Sequence, residues 1–176
     1  MAPTQQQPPP LYTTLYSLAL THASPNSTEQ IMSIRAPHAK HTWGHAGHLV
    51  ARNPKLADVM DNAAFLAHLR STGRYVDGAR KSEVHDVFVD ERKRRAMVRM
   101  SYFLRVGGVP AHEAEVVEQD LVWVLGFTGG EGEEVLIEES AEFIDAAASA
   151  RLGTLVREAH GEVGEDVRGG ITLKEG

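Results

Sequence analysis

Apolar positions in the N-terminal part of the chain recur with a helical period. Leu11, Leu15, Leu18 and Leu20 lie near helical spacing, and Tyr12 and Tyr16 form an i,i+4 pair, which predicts a helix over about 10–22. Pro25, Asn26 and Ser27 break it. Ser27 or Thr28 is placed to cap a second, short helix through Ile31 and Ile34. Pro37 ends that helix, because the residue before a proline avoids the α region. Residues 37–56 hold two glycines, two prolines and four histidines, which predicts a long loop. Val59, Ala63, Leu66 and Leu69 share one face of a predicted helix over 57–72, stopped by Gly73.

The second half changes period. Runs at 84–89, 96–106, 116–128 and 135–144 alternate or are β-rich, with turns at Asp90-Glu91-Arg92, at 107–110 and at Gly129-Gly130. Four strands with tight connections predict a curved antiparallel sheet, and Ala146, Leu152, Leu155 and Val156 predict a closing helix from Asp145 onward. Helices first and sheet afterwards make the fold class α+β, with the N-terminal helices covering the sheet. Within 117–127 the odd set (Val117, Gln119, Leu121, Trp123, Leu125, Phe127) is heavily apolar and faces the core or a pocket. Val122 and Val124 leave the opposite face less polar than solvent requires, which predicts a homodimer through it. In 96–105 the even set is the apolar one, and Arg99 belongs to the other: a surface charge, or a substrate-binding partner for an anion if the sheet curves around a polar pocket.

Residues 1–10 are polar and proline-rich and read as a disordered segment. Residues 161–176 are poor in large apolar side chains and read as a flexible tail, so one domain is expected over 11–160. Composition adds exclusions. Eighteen basic against 24 acidic residues give a net charge of −6, a poor balance for nucleic-acid binding. The basic run Arg92-Lys93-Arg94-Arg95 sits in a turn without interleaved aromatics and reads as a solvated hairpin tip. The absence of cysteine excludes a disulfide framework, a thiolate nucleophile and a cysteinyl metal site, and suits a reducing cytosol. No targeting segment and no membrane-spanning apolar run is found, so a cytoplasmic location is expected. Phosphate-loop, dinucleotide and GxSxG patterns are missing, which leaves acid–base catalysis without a cofactor.

Several strings occur in the order seen in fungal SnoaL-like proteins of secondary metabolism, members of the NTF2-like superfamily. Ile34-Arg35-Ala36-Pro37-His38-Ala39-Lys40-His41-Thr42-Trp43 resembles their "RAP-x-x-x-H" segment, and Asn62–Leu69 their third helix. Gln119-Asp120-Leu121-Val122-Trp123 resembles their "NEY" strand, and Glu142-Phe143-Ile144-Asp145 their closing "EFVD". The usual "LPASLG" is replaced by Gly44-His45-Ala46-Gly47-His48-Leu49, and the "NEY" tyrosine and glutamate are Leu121 and Asp120. The resemblance implies a cone of helices on a strongly curved sheet. It also implies an isomerase, cyclase or dehydratase acting on a small apolar polyketide- or terpenoid-derived substrate. The alternative is a non-catalytic ligand- or partner-binding protein on the same fold.

Glu142 is the first catalytic candidate, at the position the resemblance gives to a catalytic carboxylate; desolvation in an apolar pocket would tune it for proton transfer near neutral pH. His41, which the resemblance places near the mouth of the cone, is the second, and Asp120 a third. Trp43, Tyr102, Gln119 and Trp123 are expected to line the pocket. His38, His41, His45 and His48 invite a metal reading through their spacing, but the intervening glycines break the helix it needs and no acidic residue completes the set, so no metal site is assigned.

Overall fold

The computed structural model describes residues 11–129 and 133–174. The expected disordered segment over 1–10 lies outside them. In chain order the elements are α1 (Leu11–Ala23), α2 (Thr28–Ser33), β1 (Arg35–Trp43), α3 (Gly47–Arg52), a 3-10 turn (Pro54–Ala57), β2 (Val59–Met60), α4 (Asn62–Thr72), β3 (Val76–Asp90), β4 (Arg95–Val106), β5 (Val117–Phe127), β6 (Ile137–Ile144), α5 (Ala146–His160) and a last 3-10 turn (Gly170–Thr172). The class is α+β.

The six strands form one sheet in the order β2-β1-β6-β5-β4-β3. β3 to β6 make the expected antiparallel meander. β1 was expected as loop. It joins β6 in parallel and carries the two-residue edge strand β2, so the sheet is mixed. Pro37 does not prevent this because it lies in the irregular stretch between Arg35 and Lys40, where the ladder to β6 skips and no amide is needed. The remaining segment of the expected loop folds as α3.

Side-chain caps set the helix starts. The Ser27 hydroxyl accepts from the Gln30 amide at 3.2 Å, and Asp145 accepts from the Ala147 and Ala148 amides at 2.9 and 3.0 Å. Asp61 accepts from the Ala64 amide at 2.9 Å, so α4 begins at Asn62 rather than near 57. Its buried face is Phe65, His68 and Ser71 instead of the Val59–Ala63–Leu66 stripe; Val59 is 64 % exposed on β2.

The main core lies between α1 and the inner face of β4 and β5, around Leu15, Ala19, Val98, Met100, Leu121 and Trp123. Each of the larger aliphatic side chains contributes about 1.5–3 kcal/mol by leaving water. Along β5 the odd residues are buried as the alternation predicts. Along β4 the alternation holds to Met100. Beyond it Ser101 and Phe103, expected outside, are covered: His85 hydrogen-bonds Ser101 Oγ at 2.9 Å, and the Arg80 guanidinium lies 3.2 Å from the Phe103 ring centroid.

The N-terminal helices are not the sheet's only cover, and residues 161–174 are not a loose tail. Val167, Ile171 and Leu173 are buried, packed on α5 and β5 or on the core around Trp43. Arg157 donates to the carbonyls of Ile171 and Leu173, Arg74 forms a bidentate pair with Asp166, and Arg168 pairs with Asp58 at 3.1 Å. The sequence hides this because the segment's few apolar residues are separated by glycines and charges and show no period. Among the described residues no helix is long and apolar enough to cross a membrane.

Candidate active site

Strand register brings the central residues together. Trp43 on β1 and Trp123 on β5 are both opposite Glu142 on β6, so the three form one cross-strand row. All three side chains point to the inner face, where they line a cavity of about 360 Å³ between sheet, helices and C-terminal segment. α1 contributes His22, α4 contributes Phe65 and His68, and the sheet adds Tyr102 and Gln119. Gly169 and Gly170 close one side. Gly169 has φ +80°, and a Cβ there would lie 2.5 Å from the Trp43 ring, so only glycine fits both the backbone and the space.

Glu142 is 9 % exposed. Burial pushes its carboxyl up to about 8, because the charged form loses hydration without a cation beside it. At neutral pH it is mostly a neutral acid that can ionise at modest cost. Three histidines near it are neutral for the same reason. Burial, then the Arg35 charge, lowers His22 to about 3. Burial, then Arg168, lowers His68 to about 4. His41 is held well below its ordinary value by burial and then by His68, His22 and Arg35. The rings nest: His22 meets Trp123 edge-on at 4.6 Å, and His41 lies 4.6 Å from Phe65. Tyr102 donates to the Ala23 carbonyl at 3.1 Å, and burial followed by the Glu142 charge keeps its phenol well above the ordinary range. Gln119 Nε2 donates to Ser149 Oγ, which fixes the amide against α5.

Trp43, Tyr102, Gln119, Trp123 and Glu142 all line this one cavity, Trp43 from strand β1 rather than from the expected loop. His41 does not reach the wall. It is fully buried behind Glu142, with Nε2 at 4.0 Å from Glu142 Oε2 and Nδ1 at 3.1 Å from Ser140 Oγ. It was assigned to a loop at the mouth; β1 carries it into the sheet instead, one pleat away from Trp43.

Two candidates are corrected by placement. Arg99 and Asp120 project from the outer face of β4 and β5 and pair with each other at 3.1 Å, both about half exposed. Side-chain alternation turns them away from Glu142, so neither can touch a molecule in the cavity. The four spaced histidines also diverge. His38 is exposed beside Glu138, His45 Nε2 accepts from the Ile144 amide at 2.9 Å, and His48 lies on α3. Among the described residues no group of three or more His, Asp or Glu side chains is arranged to hold a metal ion.

His22, His68, Arg35 and Ser140 were missed. A signal existed for His22, which continues the Leu15–Ala19 stripe of α1, and for His68, one turn after Phe65. Arg35 sits at the start of β1, read as the end of a helix, and Ser140 on β6, whose second, parallel partner β1 the sequence did not reveal.

No protein-family model matches the chain, and no curated protein matches it. Solved structures do. PrhC from Penicillium brasilianum superposes with a TM-score of 0.66 at 15 % identity, covering 86 % of this chain and 93 % of that one. BvnE pinacolase from Penicillium brevicompactum gives 0.63 at 15 % identity, over 87 % and 100 %. SalBIII, an epoxide hydrolase/cyclase-like enzyme of pyran ring formation in the polyether salinomycin, gives 0.55 at 13 % identity, over 77 % and 94 %. The fold is thus the NTF2-like cone that the sequence resemblance implied.

Proposed function

We propose that this protein is a cofactor-independent acid–base enzyme, an isomerase, cyclase or dehydratase acting on an uncharged, mostly apolar small molecule derived from a polyketide or terpenoid. The observation that carries this reading is Glu142: a buried carboxyl between two tryptophans, without a cation on it, so that burial pushes its carboxyl up to about 8. Such a group gives a proton to a substrate oxygen and takes one back from carbon without ending in a hydrated, unreactive state. The cavity, about 360 Å³, is of ordinary size for a small-molecule site. Its aromatic walls hold an apolar skeleton in one conformer, and Tyr102 and Gln119 offer polar contacts at one end. The names borne by the similar structures, a pinacolase and an epoxide hydrolase/cyclase-like enzyme among them, agree with rearrangement chemistry of this kind.

The test uses a panel of polyketide- and terpenoid-derived ketones, diols and epoxides, with conversion followed by mass spectrometry. Conversion by the wild type and its loss in a folded, ligand-binding Glu142→Gln variant are expected. Full turnover by that variant removes Glu142 from the mechanism. Tight binding of an apolar ligand with no conversion by the wild type favours a non-catalytic binding protein instead.

The same reading pairs two copies through the outer sheet face. Phe88, Met97 and Phe143 are exposed there, and Phe88, Met97, Val124 and Ala141 form one cross-strand row. The Arg95–Glu139 and Arg99–Asp120 pairs flank that row and can meet their own equivalents in an inverted copy. Light scattering should give twice the chain mass, reduced to one by Met97→Glu. A monomeric wild type at micromolar concentration removes this part.

A further inference from the structure

Apart from histidines, two side chains of the ordinarily charged types are buried among the described residues: Arg35, 4 % exposed, and Glu142. They do not touch. Arg35 has no carboxylate partner; its Nε donates to Asn62 Oδ1 at 2.8 Å and its Nη1 to Ser140 Oγ at 3.0 Å, with the guanidinium 4.5 Å from the Phe65 ring centroid. Its Nη2 is buried without a partner. A buried cation held only by neutral acceptors is costly. What joins it to the one buried carboxyl is a line of side chains on the paired strands β1 and β6: Arg35, Ser140, His41, Glu142.

Donor and acceptor counts leave Ser140 Oγ two arrangements, its proton on His41 Nδ1 or on the Lys40 carbonyl, and the distances choose between them. Arg35 can only donate, so it takes a lone pair of Ser140 Oγ. Ser140 has one proton to give. His41 Nδ1 lies at 3.1 Å and the Lys40 carbonyl at 3.5 Å, the outer limit of a hydrogen bond. A cation on the hydroxyl oxygen strengthens its O–H as a donor. The Ser140 proton therefore goes to His41 Nδ1. A neutral imidazole that accepts at Nδ1 carries its own proton on Nε2, and Nε2 is the atom 4.0 Å from Glu142 Oε2, with no other partner. The groups facing His41 from the elements packed around it are His22 of α1, Phe65 and His68 of α4, and Trp43, Trp123, Ser140 and Glu142 of the sheet, with Arg35 beyond. Glu142 is the one acid in that set.

We infer that Arg35 and Ser140 are positioning residues that fix His41 as its Nε2–H tautomer, so that a buried relay stands behind Glu142 and stabilises its carboxylate whenever the proton is on the substrate. This deepens the proposed function and rests on Glu142 as the proton carrier. In the step itself one proton moves from a Glu142 oxygen to a basic atom of the substrate, and no protein bond between heavy atoms forms or breaks. The new carboxylate draws the His41 N–H from 4.0 Å to hydrogen-bond distance, and Arg35 gains its counter-charge through Ser140. The proton's return resets the line. His41 thus acts through Glu142 and not on the substrate.

The tautomer is measurable without knowing the substrate. Nitrogen-15 NMR of histidine-labelled protein near neutral pH, with the His41 signal assigned by its absence in His41→Gln, should show a protonated Nε2 and a bare Nδ1. In Ser140→Ala the His41 signal should move toward the Nδ1–H form. The Glu142 titration, read from its carboxyl carbon, should rise by about one pH unit, because the charged form loses its donor. Ser140→Thr, which restores a hydroxyl, should return both. A wild type with the proton on Nδ1 overturns the inference even if Ser140→Ala does not fold. So does a folded Ser140→Ala with unchanged tautomer and unchanged Glu142 titration. A protein that turns over nothing, yet shows these signatures, would keep the relay and discard the enzymatic reading.

Discussion

Glu142 and Asp120 are acidic residues on adjacent strands of one sheet, and both were candidates for the same chemistry. Glu142 points inward, between Trp43 and Trp123, buried on the cavity wall with no cation on it. Asp120 points outward, about half exposed, and is hydrogen-bonded to Arg99. The pleat alone separates them. The inner face withholds hydration and makes its carboxyl a reluctant anion. The outer face supplies water and a guanidinium, and its carboxylate is an ordinary member of a surface pair. Reactivity here belongs to the face and not to the residue type.

The sharpest way to break this contrast is kinetic. Glu142→Gln should lower kcat by about 10²–10⁴-fold, roughly 3–5 kcal/mol of barrier. Asp120→Asn, on the other face, should leave kcat/KM within about twofold. Comparable losses in both variants would mean that the two faces are not chemically distinct.

Stability against pH separates the faces next. Glu142 has a folded value of about 8 against 4.5 when free, so its contribution is complete below pH 4.5 and is lost as pH rises toward 8. The full loss is on the order of 4–5 kcal/mol. His22 and His68 have the opposite sign: their folded values of about 3 and about 4 mean that stability falls as pH drops below 6.5. Thermal melts should therefore peak near pH 6.5, and Glu142→Gln should flatten the alkaline side and steepen the rise between about pH 4.5 and 6.5, where the two trends oppose each other in the wild type. An unchanged alkaline side in that variant would show that Glu142 ionises as freely folded as unfolded.

Gly169→Val tests the inner wall. The side chain meets Trp43 and the backbone is left-handed there, so a destabilisation of about 1–3 kcal/mol and a smaller cavity are expected, read by melting and by ligand affinity. The smallest effect is reserved for the outer face: a double-mutant cycle on Arg99 and Asp120 should give a coupling of about 0–1 kcal/mol, vanishing in high salt.

Much of the inner face was legible in the sequence because alternation is a strong signal. The odd set of β5 placed Gln119 and Trp123, and a family-like string placed Glu142. Asp120 followed its register outward, although the resemblance had made it a candidate. What escaped notice depends on pairing over distance. Arg35, His41 and Trp43 read as an end-of-helix and loop, since a strand with a proline and two histidines three apart has no clear period until β6 supplies its partner. The C-terminal segment escaped because three buried apolar residues among glycines resemble a solvated tail.

The parallel pairing of β1 with β6 has a consequence for how the molecule comes to be active. His41 and Ser140 are 99 residues apart in sequence. The meander β3–β6 closes through short connections, whereas joining β1 to it requires the ends of a long loop to meet, an entropic cost that grows with the logarithm of loop length. Contacts of such separation slow folding. On the far side β1 has only a two-residue strand to hold it. Trp43 and His41 thus reach Glu142 by one of the chain's longest closures, so that chemical competence reports the completion of folding rather than the presence of the sheet.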